Sequence, residues 1–101
     1  MDVTNKIYKQ EFIDQLRKNK TRLFKKYSIK ELAIFGSVSR NDFNETSDID
    51  ILVDFNRNIG IEFIDLAEEL EAILHKKVDL VSRNGVKEKY YQFIKPDLEY
   101  V

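Results

Sequence analysis

Ile49, Ile51, Val53 and Phe55 take every second position of one stretch, and Asp48, Asp50, Leu52 and Asp54 take the positions between them. Side chains alternate across a strand, so this spacing predicts a β-strand with one apolar face and one face that carries carboxylates. Such a strand constrains everything around it. Its apolar face needs a core, and its acidic face needs something to compensate the crowded charge. At 101 residues, 43% of them hydrophobic, the chain is expected to form a single domain (residues 1–101) with one modest core.

The remaining elements follow from periodicity and turn residues. From about Thr4 to Lys26, Tyr8, Phe12, Leu16, Leu23 and Tyr27 recur at spacings near four with lysines between, which predicts a basic amphipathic helix capped by Thr4 or Asn5. Leu32 to Phe35 is apolar on both alternating faces and ends at Gly36, as expected of a short central strand covered on both sides. Gly60 to His75 reads as a second amphipathic helix, with His75, Lys76 and Lys77 placed where cations favour a helix end. Val78 to Val81 is a third strand, about Val86 to Ile94 a Lys-rich helix, and Leu98 to Val101 a terminal extended piece. The order predicts an α+β (α/β) fold, a small mixed sheet backed by helices.

Several function classes drop out early. The chain has no cysteine and one histidine, which excludes a disulfide framework, thiolate zinc and His-rich metal cages. The longest uninterrupted aliphatic and aromatic run is Leu32 to Phe35, far short of a membrane span, and the N-terminus lacks the apolar stretch of a signal peptide, so a cytoplasmic protein is expected. The net charge of -1 hides a polarity: residues 6–30 carry nine Lys or Arg against Glu11 and Asp14, whereas residues 31–80 carry twelve acids against Arg40, Arg57, Lys76 and Lys77. The acidic centre calls for cations, either metal ions or the protein's own lysines.

The chemistry is expected at Gly36-Ser37, followed after ten residues by Asp48-Ile49-Asp50, with Asp79 on the next strand. Asp48 and Asp50 project from one strand face with Cα atoms about 6.5 to 7 Å apart. A face-matched neighbouring strand would bring Asp79 to roughly 5 Å from one of them. Three carboxylates on one patch favour a hard cation such as Mg²⁺ or Mn²⁺, and two such ions ~3.5 to 4 Å apart clamp the attacking and leaving oxygens of a phosphoryl displacement. Gly36 permits close approach of a phosphate to the backbone, and the Ser37 hydroxyl and amides at the start of a short helix would supply donors.

Other motifs fail on the same residues. An EF-hand loop from Asp48 would need an oxygen ligand, Gly and Glu where Leu52, Val53 and Ile59 stand. No glycine forms a P-loop or a Gly-x-Gly dinucleotide turn. Spacing leaves a Ser37, His75 and aspartate triad open, but His75 is more simply a helix-end cation.

Gly36-Ser37, the ten-residue gap, Asp48-x-Asp50 and Val78-Asp79-Leu80 together resemble the nucleotidyltransferase superfamily that includes DNA polymerase beta, in the short form called the minimal nucleotidyltransferase. The resemblance runs from about Leu32 to the C-terminus. It implies that Asp48 and Asp50 bind two Mg²⁺ ions, that Asp79 binds one and helps deprotonate an acceptor hydroxyl, and that Gly36 and Ser37 hold the phosphates of ATP or another nucleoside triphosphate. Many members have Ala-Arg-Gly where this chain has Ser39-Arg40-Asn41, so Arg40 is either a phosphate contact or an exposed ion pair. It further implies an antitoxin paired with a HEPT ribonuclease toxin, some members silencing the toxin by transferring AMP to a tyrosine. A non-catalytic antitoxin acting by occlusion is the alternative, and a nucleic-acid-binding module a weaker one. The basic first helix, with Lys87 and Lys89, is expected to help dock an acidic protein surface, with no specific nucleic acid and no membrane as partner.

Overall fold

The structure, a computed structural model, describes residues 3–101, with side chains from Tyr8 onward. Four strands form one sheet: β1 (Ile29–Phe35), β2 (Ile49–Phe55), β3 (Val78–Ser82) and β4 (Glu99–Tyr100), in the order β3-β2-β1-β4. β2 and β3 run parallel, joined by helix α3 (Glu62–Leu74), while β1 is antiparallel to both β2 and β4. Two helices, α1 (Val3–Lys18) and α2 (Lys20–Tyr27), precede the sheet, and α4 (Glu88–Ile94) follows it after a short 3-10 turn at Arg83–Gly85. The expected α+β fold with a mixed sheet is the observed one.

The alternation in β2 sorts the two sides of the sheet as expected. Ile49, Ile51 and Val53 are wholly buried in the main core with Leu32 and Ile34 of β1, under Leu16, Leu23, Leu66 and Leu70 of α1, α2 and α3. Leu52 points the other way and joins Phe35, Val86 and Ile94 in a smaller core beneath α4. The carboxylates of β2 therefore share a face with this second core and stand apart from the main one.

Two boundaries differ from the sequence expectation. The first helix is broken at Asn19, whose side-chain Nδ2 donates to the Gln15 carbonyl at 2.8 Å and whose own amide reaches back only three residues, to Leu16, at 3.1 Å. A short polar side chain that bonds nearby backbone competes with the helical ladder. β1 begins at Ile29, three residues earlier than expected, because the register shifts between Ile29 and Glu31. A bulge there leaves both Lys30 and Glu31 exposed, which hides the strand's alternation. The expected cap at Thr4 or Asn5 rests on side chains outside those described.

Glu69 joins α3 to α2. Its carboxylate accepts from the Arg22 guanidinium, from Lys26 Nζ at 3.1 Å and from the Tyr27 hydroxyl at 2.7 Å. The Arg22 hydrogen bond above all, then Tyr27 and Lys26, holds its pKa down to about 2. Its ionised form thus stabilises the fold above the ordinary carboxylate pKa, and that stability is lost as pH falls from about 4.5 towards 2. Because Arg22 and Lys26 are half exposed, Glu69→Gln is expected to cost about 1 to 2 kcal/mol at pH 7, reduced by solvent screening. Urea unfolding at pH 7 and pH 3 checks this: the gap between wild type and variant should narrow at pH 3.

Candidate active site

Local bonds deliver the acidic face of β2 to one end of the sheet. In the loop before it, Asn44 Oδ1 accepts from the Thr46 amide at 2.9 Å and the Thr46 hydroxyl at 2.6 Å, while the Ser47 amide donates to the Asn44 carbonyl at 3.0 Å. Short polar side chains make this turn themselves, as Asx turns do. Asp48 is left exposed at the strand entrance. The next residue, Ile49, donates its amide to the Lys77 carbonyl at 2.9 Å, pinning the start of β2 to the start of β3.

That pin sets the register. Asp50 stands opposite Asp79 in the parallel ladder and opposite Phe35 in the antiparallel one. Asp50 is half-buried, Asp79 exposed. Burial first, then the charges of Asp79 and Asp48, push the Asp50 carboxyl up to about 6, a shift that a hydrogen bond with Asp79 reinforces and Arg40 opposes. Like charges this close are unfavourable, and a cation between them would relieve the repulsion.

Gly36 makes room for that carboxyl. Its φ is +74°, and a Cβ built there overlaps Asp50 Oδ2 and lies 3.0 Å from Asp50 Cγ. A glycine is required twice over, for the left-handed backbone and for the space. After it the chain makes one helical turn, with the Arg40 amide donating to the Gly36 carbonyl at 3.0 Å and the Asp42 amide to the Ser37 carbonyl at 2.9 Å. Residues 36–41 form turns, where the sequence suggested a short helix. Val38 and Phe43, both buried, anchor the segment in the main core.

Arg40 pairs with Asp97 at 3.3 Å and, more loosely, with Asp42 at 3.5 Å. Asp97 also takes the Ser39 hydroxyl on its carbonyl, and Lys9 of α1 bonds the Ser39 carbonyl at 3.2 Å and Glu99 at 2.7 Å. Lys9 and Asp97 therefore hold Ser39 and Arg40, just after the Gly36-Ser37 turn, with Glu99 pairing Lys9, and nothing in the sequence spacing pointed to them. His75 ends α3 in a left-handed conformation (φ 56°) and is exposed, a helix-end residue as expected.

Among the described residues, no three His, Asp or Glu side chains converge as one ligand set for a metal. The structure brings Asp50 and Asp79 together and leaves Asp48 at the edge of the patch. This donor set still fits Mg²⁺, which is commonly held by one or two carboxylates and completes its octahedron with phosphate oxygens and water.

Residues 13–100 match the family described as nucleotidyltransferase domain. The chain belongs to this family. A Methanocaldococcus jannaschii relative, provisionally named protein adenylyltransferase MJ0126, is 43% identical over 93 residues, 90% of this chain and 95% of its own length. Protein adenylyltransferase MntA of Thermococcus cleftensis is 36% identical over 93 residues, covering 91% of this chain and 94% of its own. A solved structure described provisionally as a minimal nucleotidyltransferase superposes with a TM-score of 0.76 at 27% identity, over 88% of this chain and 92% of that one. A chain of the Shewanella oneidensis complex of a tri-AMPylated HEPN toxin with its MNT antitoxin shares the fold, with a TM-score of 0.59 at 24% identity over 95% of this chain and 70% of that one. This nucleotidyltransferase is an enzyme that moves a nucleotidyl group from a nucleoside triphosphate.

Proposed function

We propose that this chain, a single minimal nucleotidyltransferase domain, uses ATP and Mg²⁺ to transfer AMP to a hydroxyl of a partner protein, and that the partner is a HepT-type ribonuclease toxin for which it is the antitoxin. The observation that carries the reading is the Asp50–Asp79 pair, opposed in register on an accessible sheet face beside the Gly36-Ser37 turn. The name of the T. cleftensis relative and the AMPylated toxin of the Shewanella complex support the acceptor class.

Asp48, Asp50 and Asp79 would hold the Mg²⁺, and Gly36 and Ser37 the phosphates. The metal, when bound, supplies charge neutralisation at the phosphates. Asp79, the more exposed of the opposed pair, would accept the acceptor's proton. The acceptor oxygen then bonds to the α-phosphorus, the bond to the bridging oxygen breaks, and pyrophosphate leaves. Arg40 would contact a phosphate in exchange for its exposed pairs with Asp42 and Asp97, since such pairs are worth little.

With α-labelled ATP, label is expected on the toxin; with γ-labelled ATP, none. Transfer of the γ-label would make the protein a kinase and overturn the reading. Suppression of the toxin without any label would point to occlusion alone. Asp79→Asn is expected to lower kcat by about 10²- to 10⁴-fold with nucleotide affinity changed much less, as for loss of a general base. Equal losses in both would leave Asp79 a metal ligand only.

A further inference from the structure

The inner face of α4 is fully engaged. Val86, just before it, and Ile94 are buried against Phe35 and Leu52, and the Arg83 guanidinium lies 3.6 Å from the centre of the Tyr91 ring. Its one acidic residue, Glu88, is occupied by Arg83 at 3.1 Å and Gln92 at 2.7 Å. The outer face has no such role. Tyr90 and Phe93, 49% and 77% exposed, stack on each other with ring centres 6.4 Å apart. Together with Lys87 and Lys89 they line an open groove of about 400 Å³. Among the described residues no carboxylate pairs with either lysine.

We propose that this face of α4 is the acceptor-docking surface, and that its occupant is an amphipathic helix of the partner protein whose apolar ridge is flanked by Asp or Glu. The proposal rests on the reading that the acceptor is a protein. Stacked rings edged by two unpaired lysines complement an apolar ridge edged by acids. Of the first helix, expected to share the docking role with Lys87 and Lys89, Arg22 and Lys26 are already held by Glu69. A second copy docked face to face would oppose lysine to lysine. Single-stranded nucleic acid would stack its bases on free ring faces, but these rings lie against each other.

Position adds a second argument. Phe35, on which α4 packs, is the register partner of Asp50, and Leu52 lies two residues beyond Asp50 on the same face. α4 therefore packs on the same face of the sheet that carries Asp50 and Asp79.

The test uses the full chain and a HepT-type toxin from the same genome as the probe. Phe93→Ser is expected to raise the dissociation constant about 10- to 100-fold, as loss of a central aromatic contact does. Lys87→Glu with Lys89→Glu should weaken capture mainly through the association rate and flatten its salt dependence. ATP affinity, melting temperature and kcat at saturating toxin should stay at wild-type values, with KM for the toxin raised. Unchanged capture by both variants overturns the docking surface, even where label transfer proceeds. So does wild-type self-association that Phe93→Ser abolishes, or oligonucleotide binding that competes with the toxin. Capture that depends on Phe93 without any transfer keeps the docking surface and removes the adenylylation reading. A wild type that neither captures nor labels the toxin overturns both.

Discussion

Asp50→Asn, and likewise Asp48→Asn, is expected to lower nucleotidyl transfer at least about 10³-fold, equivalent to about 4 kcal/mol of transition-state stabilisation, while the fold persists. The β2 strand does not depend on these carboxylates, since its apolar residues bury the other face. For Asp50 the metal-free protein should become more stable. Burial and the neighbouring Asp79 raise its folded-state pKa to about 6, so ionising it costs stability progressively from about pH 4 to pH 6, and the full cost applies above that. Removing the charge should return about 1 to 2 kcal/mol at pH 8 and almost nothing at pH 4, after discount for its partial exposure. Thermal melts in EDTA at the two pH values, beside a transfer assay, measure both effects. Activity retained in the Asp48→Asn, Asp50→Asn double variant would remove these residues from the mechanism.

Gly36→Ala has the second large effect. A β-carbon at φ +74° strains the backbone by roughly 1 to 2 kcal/mol, and it also overlaps the Asp50 carboxylate. Backbone or carboxylate must move, and a displacement near 1 Å at a reacting site costs on the order of 10²-fold in rate. The variant is therefore expected to melt lower than wild type, whereas Asp50→Asn melts higher, with both nearly inactive. The double variant Gly36→Ala, Asp50→Ala tests the contact itself. It should be less than additive in stability, because the carboxylate that the new β-carbon overlaps is gone. Full additivity in chemical denaturation would mean that only the backbone strain matters.

The parts of the fold that were legible are those where one residue reports its own environment. Ile49, Ile51 and Val53 could be assigned to the core because period two and complete burial coincide. Gly36 was legible because its conformation admits little else, and Asp50 because an acid inside an apolar strand has no local excuse. Ile29 to Glu31 was missed because a bulge breaks the alternation that sequence reading relies on. The helix break was missed because Asn19 acts through a side-chain bond to Gln15, which no hydrophobic pattern records.

The sequence by itself determined the two-faced strand, the glycine turn and the aspartates, since their meaning follows from strand period and side-chain chemistry. Tertiary structure alone decided which acids meet. Asp50 opposes Asp79 because the Ile49 amide is bonded to Lys77, and Asp48 stays at the margin. It also decided how the cations are divided: Glu69 takes Arg22 and Lys26, Asp97 takes Arg40 from 57 positions along the chain, and Lys87 and Lys89 remain beside two exposed rings. Charge pairing depends on distance in space and falls off within several ångströms, so sequence separation carries almost no information about it.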